Sequence, residues 1–240
     1  YISFVDSDDY LSPDMYTILY NNLIENDADI STCGYYSCYH DKNVPNFKEC
    51  STDIHILSPE EAIRGVFEDK IVSVEAWAKI YKTSLFDNVR YPVSRLSEDA
   101  FTTPTLLSKA KKIVATTQPL LYYSMREDSI TGSNFKKGDL DVIDAYELNL
   151  KLVQDKFPSL LKQAEFRVLW AYTYVLKKML KSRNFNDFDE YHKIISTIRK
   201  NTFKILANPY FSIQKKVAVC CLLFSKKLYK KLVLSNVNHN

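Results

Sequence analysis

Three acidic residues follow a run of strand-forming residues near the start of the chain. The run spans residues 1–5, and Asp6, Asp8 and Asp9 come directly after it. Hard divalent cations prefer oxygen ligands, and ligand crevices of α/β proteins open at the carboxyl ends of strands. Adjacent carboxylates also repel unless a cation or hydrogen-bond donors compensate them. The pattern predicts a metal site, with an acidic loop that caps the next helix as the open alternative.

A second pair of carboxylates, Glu98 and Asp99, precedes a predicted helix. Asp99 can act as a general base if an acceptor hydroxyl lies within hydrogen-bond reach. Acidic side chains at that position also stabilise the positive end of a helix without any catalytic role. The sequence alone leaves both interpretations open.

Two further segments carry candidate binding residues. Arg126 offers a planar fork suited to phosphate, and Ser129 offers a hydroxyl donor nearby. The alternative is a surface loop in which Arg126 pairs with a neighbouring acid. At residues 76–81, Trp77 is expected to pack in the core, while Lys79 can face a sugar or a phosphate.

Local patterns predict a mixed α/β part followed by an all-helical part. Ser12 and Pro13 are expected to start a helix that ends near Glu25, and Ser58 to Glu61 form a capping box for a second helix. Thr103 and Pro104 are expected to start a third. Predicted strands cover residues 29–39, 54–57, 74–81 and 112–117, and residues 119–123 are expected to form an extended aromatic segment. Later helices are expected over 139–155, 158–182, 187–200 and 212–232. We therefore predict two units, 1–135 and 136–240.

Composition excludes several classes of protein. The chain has 240 residues, 46% hydrophobic, with four glycines, which fits a folded chain with a buried core rather than a disordered one. No apolar run approaches the roughly 18 residues of a membrane-spanning helix. Five cysteines without paired spacing and four scattered histidines disfavour a zinc site or a disulfide framework, and favour a reducing compartment.

Charge is distributed unevenly along the chain. Residues 191–240 contain ten basic residues and no acidic one, so residues 1–190 carry a balance of −7. In the predicted last helix, an apolar stripe is flanked by lysine pairs. The stripe consists of Ile213, Val217, Cys220, Cys221, Phe224 and Leu228. Such a helix either lies on an anionic membrane surface or packs on its neighbours with its lysines in water. No motif indicates nucleic-acid binding.

In order and spacing, several short segments together resemble the family 2 glycosyltransferases of bacterial capsule, exopolysaccharide and teichoic-acid synthesis. They occupy residues 1–11, 27–30, 77–81, 97–101 and 122–130, and include Asp-Ser-Asp-Asp at 6–9, Trp-Ala-Lys-Ile-Tyr at 77–81 and Glu-Asp at 98–99. The resemblance implies the C-terminal part of a GT-A (Rossmann-like) catalytic domain, followed here by the helical region.

The resemblance also implies roles for individual residues. A DxD motif at Asp6 and Asp8 would hold Mn²⁺ or Mg²⁺ against the donor diphosphate, with Asp8 as the direct ligand, and Asp99 would be the catalytic base. Arg126 and Ser129 would contact the donor diphosphate, and Trp77, Lys79 and Glu98 the acceptor. Such enzymes transfer a sugar from a nucleotide-sugar donor to a glycan or lipid-linked acceptor, with inversion, in the cytoplasm or at the inner face of the membrane.

One departure from the family pattern affects the expected activity. The βα units that bind the nucleotide base in the family do not precede Tyr1 in these 240 residues. We therefore expect the chain by itself to bind a nucleotide sugar poorly and to be inactive. A nucleotidyltransferase with an acidic metal site and a non-catalytic helical interaction protein remain the alternatives.

Overall fold

The computed structural model describes residues 1–125, 135–182, 185 and 188–235. The chain forms two compact units, Tyr1–Gly132 and Ser133–Asn240. The sequence placed this boundary three residues later, between residues 135 and 136. Each unit is described separately below.

The first unit is built on a mixed six-stranded sheet. Its strands are β1 (Tyr10–Leu11), β2 (Ile30–Cys38), β3 (Asn43–Pro45), β4 (His55–Leu57), β5 (Lys79–Tyr81) and β6 (Ile113–Ser124). The order β1-β6-β2-β3 runs through the sheet, with β4 added to β6 and β5 to β2. The long central strands β2 and β6 are parallel, and the other pairs are antiparallel. The predicted α/β class is confirmed.

A bulge in the central pair requires a glycine. The register between β2 and β6 shifts on both sides of Gly34. A Cβ atom at Gly34 would lie 2.6 Å from the backbone oxygen of Thr117, which is closer than real Cβ contacts. The absence of a side chain at this position therefore allows the two backbones to approach.

Three helices accompany the sheet: α1 (Met15–Glu25), α2 (Pro59–Glu68) and α3 (Glu98–Lys109). Met15, Leu19 and Leu23 of α1 are buried and pack with Cys33 of β2 and Leu121 of β6. These three residues lie on one face of the helix, as their spacing predicts. α1 thereby anchors both central strands.

Three expectations for the first unit are wrong. The opening run, residues 1–5, is not a regular strand, because only Ile2 exchanges backbone hydrogen bonds with Tyr81. The segment before Lys79 turns instead of extending, which shortens β5 to three residues. α3 starts at Glu98 rather than at Pro104, which lies inside it. The acids at 98 and 99 thus occupy the first turn, where the helix dipole favours them.

The capping box of α2 is confirmed and gives a stability prediction. Ser58 accepts from the Glu61 backbone N–H at 3.3 Å, and the Glu61 carboxylate accepts from the Ser58 N–H at 2.8 Å. We expect Ser58→Ala to lower the free energy of unfolding by about 1 kcal/mol, measured by urea titration. Ser12→Ala is the control, because no side chain caps α1. Equal losses in both variants would contradict the assignment.

The second unit is helical in its described part. Its helices are α4 (Asp141–Lys156), α5 (Leu161–Lys181), α6 (Asp189–Lys200), α7 (Thr202–Ala207), α8 (Ile213–Phe224) and α9 (Lys226–Ser235). The single helix predicted over residues 212–232 is two helices. Ser225 is extended, with φ of −149° and ψ of 114°, and its hydroxyl accepts from the Leu228 N–H at 3.2 Å. A serine that prefers a cap to a helix interior therefore separates α8 from α9.

Polar side chains tie these helices together. The Lys178 ammonium donates to the buried Asp139 carboxylate at 2.6 Å. The Arg199 guanidinium on α6 donates twice, at 2.8 and 3.0 Å, to the Leu222 carbonyl near the end of α8, where a cation also favours the helix dipole. Within the described ranges, no helix is both long and apolar enough to cross a membrane.

Candidate active site

The acidic loop after the Ile2 bridge is held against the end of β6. The Asp9 N–H donates to the Asp6 carbonyl at 3.2 Å and closes a turn. From β6, the Ser124 N–H donates to the Asp9 carboxylate at 2.9 Å, and the Ser124 hydroxyl donates to the Asp8 carbonyl at 2.5 Å. Asp9, one of the three acids of the predicted metal site, therefore fastens the loop to the sheet.

The loop offers two carboxylates to a cation. Asp6 is exposed and Asp8 is half-buried. Among the described residues, no three His, Cys, Asp or Glu side chains form a group that could hold a metal ion. Mg²⁺ is commonly held by one or two carboxylates and completed by water and substrate phosphates. The donor set therefore fits an open site of that kind rather than a closed site made of protein ligands alone.

Asp99 lies half-buried in the first turn of α3. Burial raises the pKa of its carboxyl to about 7, and the charges of Glu98 and Glu75 act in the same direction. The Lys79 ammonium and a hydrogen bond from the Ala76 backbone N–H oppose this rise in pKa. A carboxylate with a pKa near neutral pH can accept and release a proton under physiological conditions.

The Lys79 side chain folds back and binds residues 73–77 of its own segment. This side chain is completely buried. The ammonium donates to the Ser73 hydroxyl at 3.1 Å, to the Glu75 carbonyl at 2.6 Å and to the Trp77 carbonyl at 3.4 Å. Burial lowers the pKa of Lys79, whereas the charges of Glu75 and Asp99 oppose that effect. The lysine thus fixes the segment that presents the Ala76 N–H to Asp99.

The placement of Lys79 does not favour the predicted acceptor contact. A side chain without exposed surface, whose ammonium already has three acceptors, presents nothing to a sugar. Trp77 is also buried, at 6% exposure, as its expected packing role requires. Glu98 is exposed and accessible to an acceptor.

Backbone strain occurs next to both Lys79 and Asp99. Ala78 and Ser97 have φ angles of 56° and 57°, in the left-handed region that residues other than glycine rarely adopt. The Ala78 carbonyl accepts from the Cys33 N–H of β2 at 3.1 Å, which holds it in place. Such strain is common at functional sites.

Aromatic rings link the two acidic regions. Trp77 stacks on Tyr123 of β6 with ring centroids 5.3 Å apart, and Tyr35 of β2 meets Trp77 edge-on at 4.6 Å. Burial raises the pKa of Tyr123, and the charges of Asp9, Asp6, Asp8 and then Glu75 raise it further. The acidic loop and the Glu75 carboxylate therefore both lie within electrostatic reach of one ring.

Several residues of this region were not identified from the sequence. Glu75 accepts from the Tyr35 hydroxyl at 3.3 Å and contributes to the pKa values of Asp99 and Lys79. The sequence feature that could have identified Glu75 is its position directly before the Ala-Trp-Ala-Lys segment. For Tyr35, the sequence indicated a position in a strand and no functional role. Arg126 and Ser129, the predicted diphosphate contacts, lie outside the described residues.

Comparisons with known proteins show that the chain is similar to glycosyltransferases. The chain is 24% identical over 159 residues to glycosyltransferase GlyA of Streptococcus pneumoniae, covering 64% of the chain and 23% of GlyA. It is 30% identical over 157 residues to a poly(ribitol-phosphate) beta-glucosyltransferase of Bacillus spizizenii, covering 60% of the chain and 23% of the relative. The chain thus spans less than a quarter of either relative. No family model matches it.

A solved structure supports the fold. The structure of S. aureus TarS 1-349 in complex with UDP-GlcNAc matches with a TM-score of 0.55 and 16% identity, covering 98% of this chain and 66% of that one. At this identity the match concerns the fold alone. Taken with the two relatives, it supports the resemblance seen in the motifs: the chain is similar to part of the length of several bacterial glycosyltransferases.

Proposed function

We propose that the chain forms the catalytic and acceptor-side part of an inverting glycosyltransferase. The enzyme would transfer a sugar from a nucleotide-sugar donor to a glycan or a lipid-linked acceptor in cell-surface polysaccharide synthesis. The relatives support the class of reaction. The observation that carries the proposal is the environment of Asp99, a half-buried carboxylate whose pKa is raised to about 7 beside the strained segment that ends at Lys79.

In this proposal Asp99 is the general base. Its carboxylate accepts the proton of an acceptor hydroxyl while that oxygen bonds to the anomeric carbon of the donor sugar. The bond from the anomeric carbon to the diphosphate oxygen breaks, and its electron pair leaves with the diphosphate. Attack from the opposite face in a single displacement inverts the anomeric configuration. A base with a pKa near the working pH is suited to this step.

Asp6 and Asp8 would hold Mn²⁺ or Mg²⁺ at the acidic loop. The bound cation would supply positive charge that stabilises the departing diphosphate. The Ser124 and Asp9 hydrogen bonds keep the loop at the end of β6, which orients the two carboxylates without using them. Contacts of Arg126 and Ser129 with the diphosphate stay a prediction.

Removal of one proposed metal ligand tests this assignment. In the full-length gene product we expect Asp8→Asn to lower metal-dependent donor turnover by roughly 100-fold or more, because several kcal/mol of charge stabilisation would be lost. Asp14→Asn is the matched control, since Asp14 is also an aspartate, is exposed, and makes no capping hydrogen bond to α1. Turnover that survives both Asp8→Asn and chelation with EDTA would contradict metal dependence.

Two further points belong to the proposal. The 240 residues alone are expected to turn over donor poorly, because they match 66% of TarS 1-349. The reaction would take place in the cytoplasm, and a lipid-linked acceptor would bring the enzyme to the inner surface of the membrane.

A further inference from the structure

Helix α8 has two apolar faces, and only one of them is buried. Ala218, Val219 and Leu222 are buried against the helical unit. On the opposite side of the helix, Ile213 is 80% exposed and Phe224 is 88% exposed. At 3.6 residues per turn, positions 213, 217, 220 and 224 fall on one line along the helix.

The stripe predicted from the sequence is therefore the outer face of α8. Val217 is 51% exposed, and Leu228 at the start of α9 is 45% exposed. Hydrophobic spacing identified the stripe, and the sequence left two arrangements open for it. Packing on neighbouring helices does not hold for Ile213, Val217 and Phe224, which are exposed. A contiguous exposed apolar surface of this kind marks an interaction site more often than a chance arrangement.

Positive charge accompanies this apolar face. Lys227 and Lys231 of α9 are exposed and lie one turn apart on the same side of that helix. The other two lysines of α9 lie over aromatic rings: the Lys226 ammonium lies 5.5 Å from the ring centre of Tyr191, and that of Lys230 4.0 Å from the ring centre of Phe185.

No negative charge offsets these lysines in the surrounding sequence, since residues 191–240 contain no Asp or Glu. Exposed apolar side chains in a basic segment of this kind are complementary to an anionic bilayer surface, which has an apolar interior below charged headgroups. The apolar groups can enter the boundary between headgroups and acyl chains, and the ammonium groups can contact lipid phosphates.

We propose that the outer face of α8 and α9 docks onto an anionic lipid bilayer. Ile213, Val217 and Phe224 enter the interface, while Lys227 and Lys231 contact the phosphates. The helices lie on the surface, in agreement with the finding that no described helix is long and apolar enough to span a membrane. This proposal rests on the lipid-linked acceptor of the proposed function. Vesicle binding is measured without sugar transfer, so either proposal can fail alone.

Co-sedimentation of the full 240-residue chain with vesicles tests the surface. We expect binding to vesicles of equimolar phosphatidylglycerol and phosphatidylcholine and much weaker binding to phosphatidylcholine alone. Lys227→Gln with Lys231→Gln should weaken binding to the anionic vesicles by about 30-fold, at about 1 kcal/mol per lysine. The matched control replaces two other exposed lysines, Lys48→Gln with Lys137→Gln.

A second variant tests the apolar contribution. Ile213→Gln, Val217→Gln and Phe224→Gln together should weaken binding at least about tenfold, because the inserted apolar area is lost; glutamine retains helix propensity. The control changes three exposed apolar residues of other helices, Tyr20→Gln, Ile24→Gln and Leu148→Gln. Circular dichroism at the assay temperature identifies any variant that fails to fold.

Three results would overturn the proposal. The first is equal binding by the stripe variant and its control. The second is equal binding to anionic and neutral vesicles. The third is self-association through the same face: a molar mass in sedimentation equilibrium that rises with protein concentration for the wild type and not for the stripe variant, with vesicle binding unaffected, would assign the surface to a second copy of the chain.

Discussion

The Asp99→Asn protein is expected to be more stable than the wild type at pH 8 and no more stable at pH 4. In the folded chain, burial first and the Glu98 and Glu75 charges next raise the pKa of Asp99 from its ordinary value of 3.8 to about 7. The folded state therefore holds this proton more tightly than the unfolded state. The stabilising contribution of the protonated carboxyl is present at low pH and is lost as the pH rises toward 7.

Above pH 7 the buried carboxylate is ionised and lowers the stability of the fold. Asparagine keeps the shape of the side chain without the charge, so the variant escapes this cost. We expect a gain of about 1–3 kcal/mol in the free energy of unfolding at pH 8. Urea titrations at pH 4 and pH 8 measure it, with the exposed Asp53→Asn as the control. An identical difference between wild type and Asp99→Asn at both pH values would contradict the raised pKa.

The same substitution removes the proposed base, so stability would rise while activity falls. Loss of a general base typically costs 10²- to 10⁴-fold in rate, an order of magnitude known from other enzymes. A residue that destabilises the fold in its active ionisation state is the expected signature of a site selected for chemistry rather than stability. Structural roles for Asp99, such as a favourable charge at the start of α3, predict the opposite change in stability at pH 8.

Lys79→Met is expected to have the second large effect. The substitution leaves the buried carbonyls of Glu75 and Trp77 without their donor and removes the positive charge that opposes Glu75 and Asp99. Buried polar groups without partners are costly, so we expect a loss of about 2–4 kcal/mol in the free energy of unfolding. The pKa of Asp99 should rise further, because the Lys79 charge lowers it in the wild type.

Lys82→Met provides the matched control. Lys82 directly follows β5, three residues after Lys79, and pairs with Asp29 at 2.9 Å, with its side chain 34% exposed. A pair in contact with water contributes at most about 1 kcal/mol. Urea titration gives the two stabilities, and ¹³C NMR of the Asp carboxyl carbons gives the pKa of Asp99. Equal stabilities and an unchanged Asp99 pKa in the two variants would show that Lys79 does not organise the segment.

Features that depend on residues close together in the chain could be predicted from the sequence. The capping box at Ser58 was confirmed because it depends on residues three positions apart. The apolar face of α1 and the mixed α/β class followed from hydrophobic spacing in the same way. Likewise, the chemical types at Asp6, Asp8 and Asp99 identified the segments in which to look for a site, because few side chains can bind a hard cation or accept a proton.

Features that depend on tertiary contacts could not be predicted from the sequence. The sequence allowed Lys79 to face a sugar or a phosphate, because nothing in the local pattern shows that its ammonium finds three acceptors in its own segment. The sequence could not decide whether the stripe on α8 is packed or exposed, because periodicity identifies an apolar face without showing which of two such faces is covered. Glu75 and Tyr35 come together only when β2 and the segment before β5 pack side by side.

Sugar transfer by the full-length gene product, with wild-type and Asp99→Asn proteins compared side by side, tests the central claim most directly. The assay follows transfer from a panel of nucleotide sugars in the presence of Mn²⁺, with donor affinity measured by calorimetry. We expect transfer with inversion by the wild type, and a rate lower by about 10²- to 10⁴-fold with unchanged donor affinity for Asp99→Asn. Transfer by Asp99→Asn at the wild-type rate would contradict the assignment of Asp99 as the base.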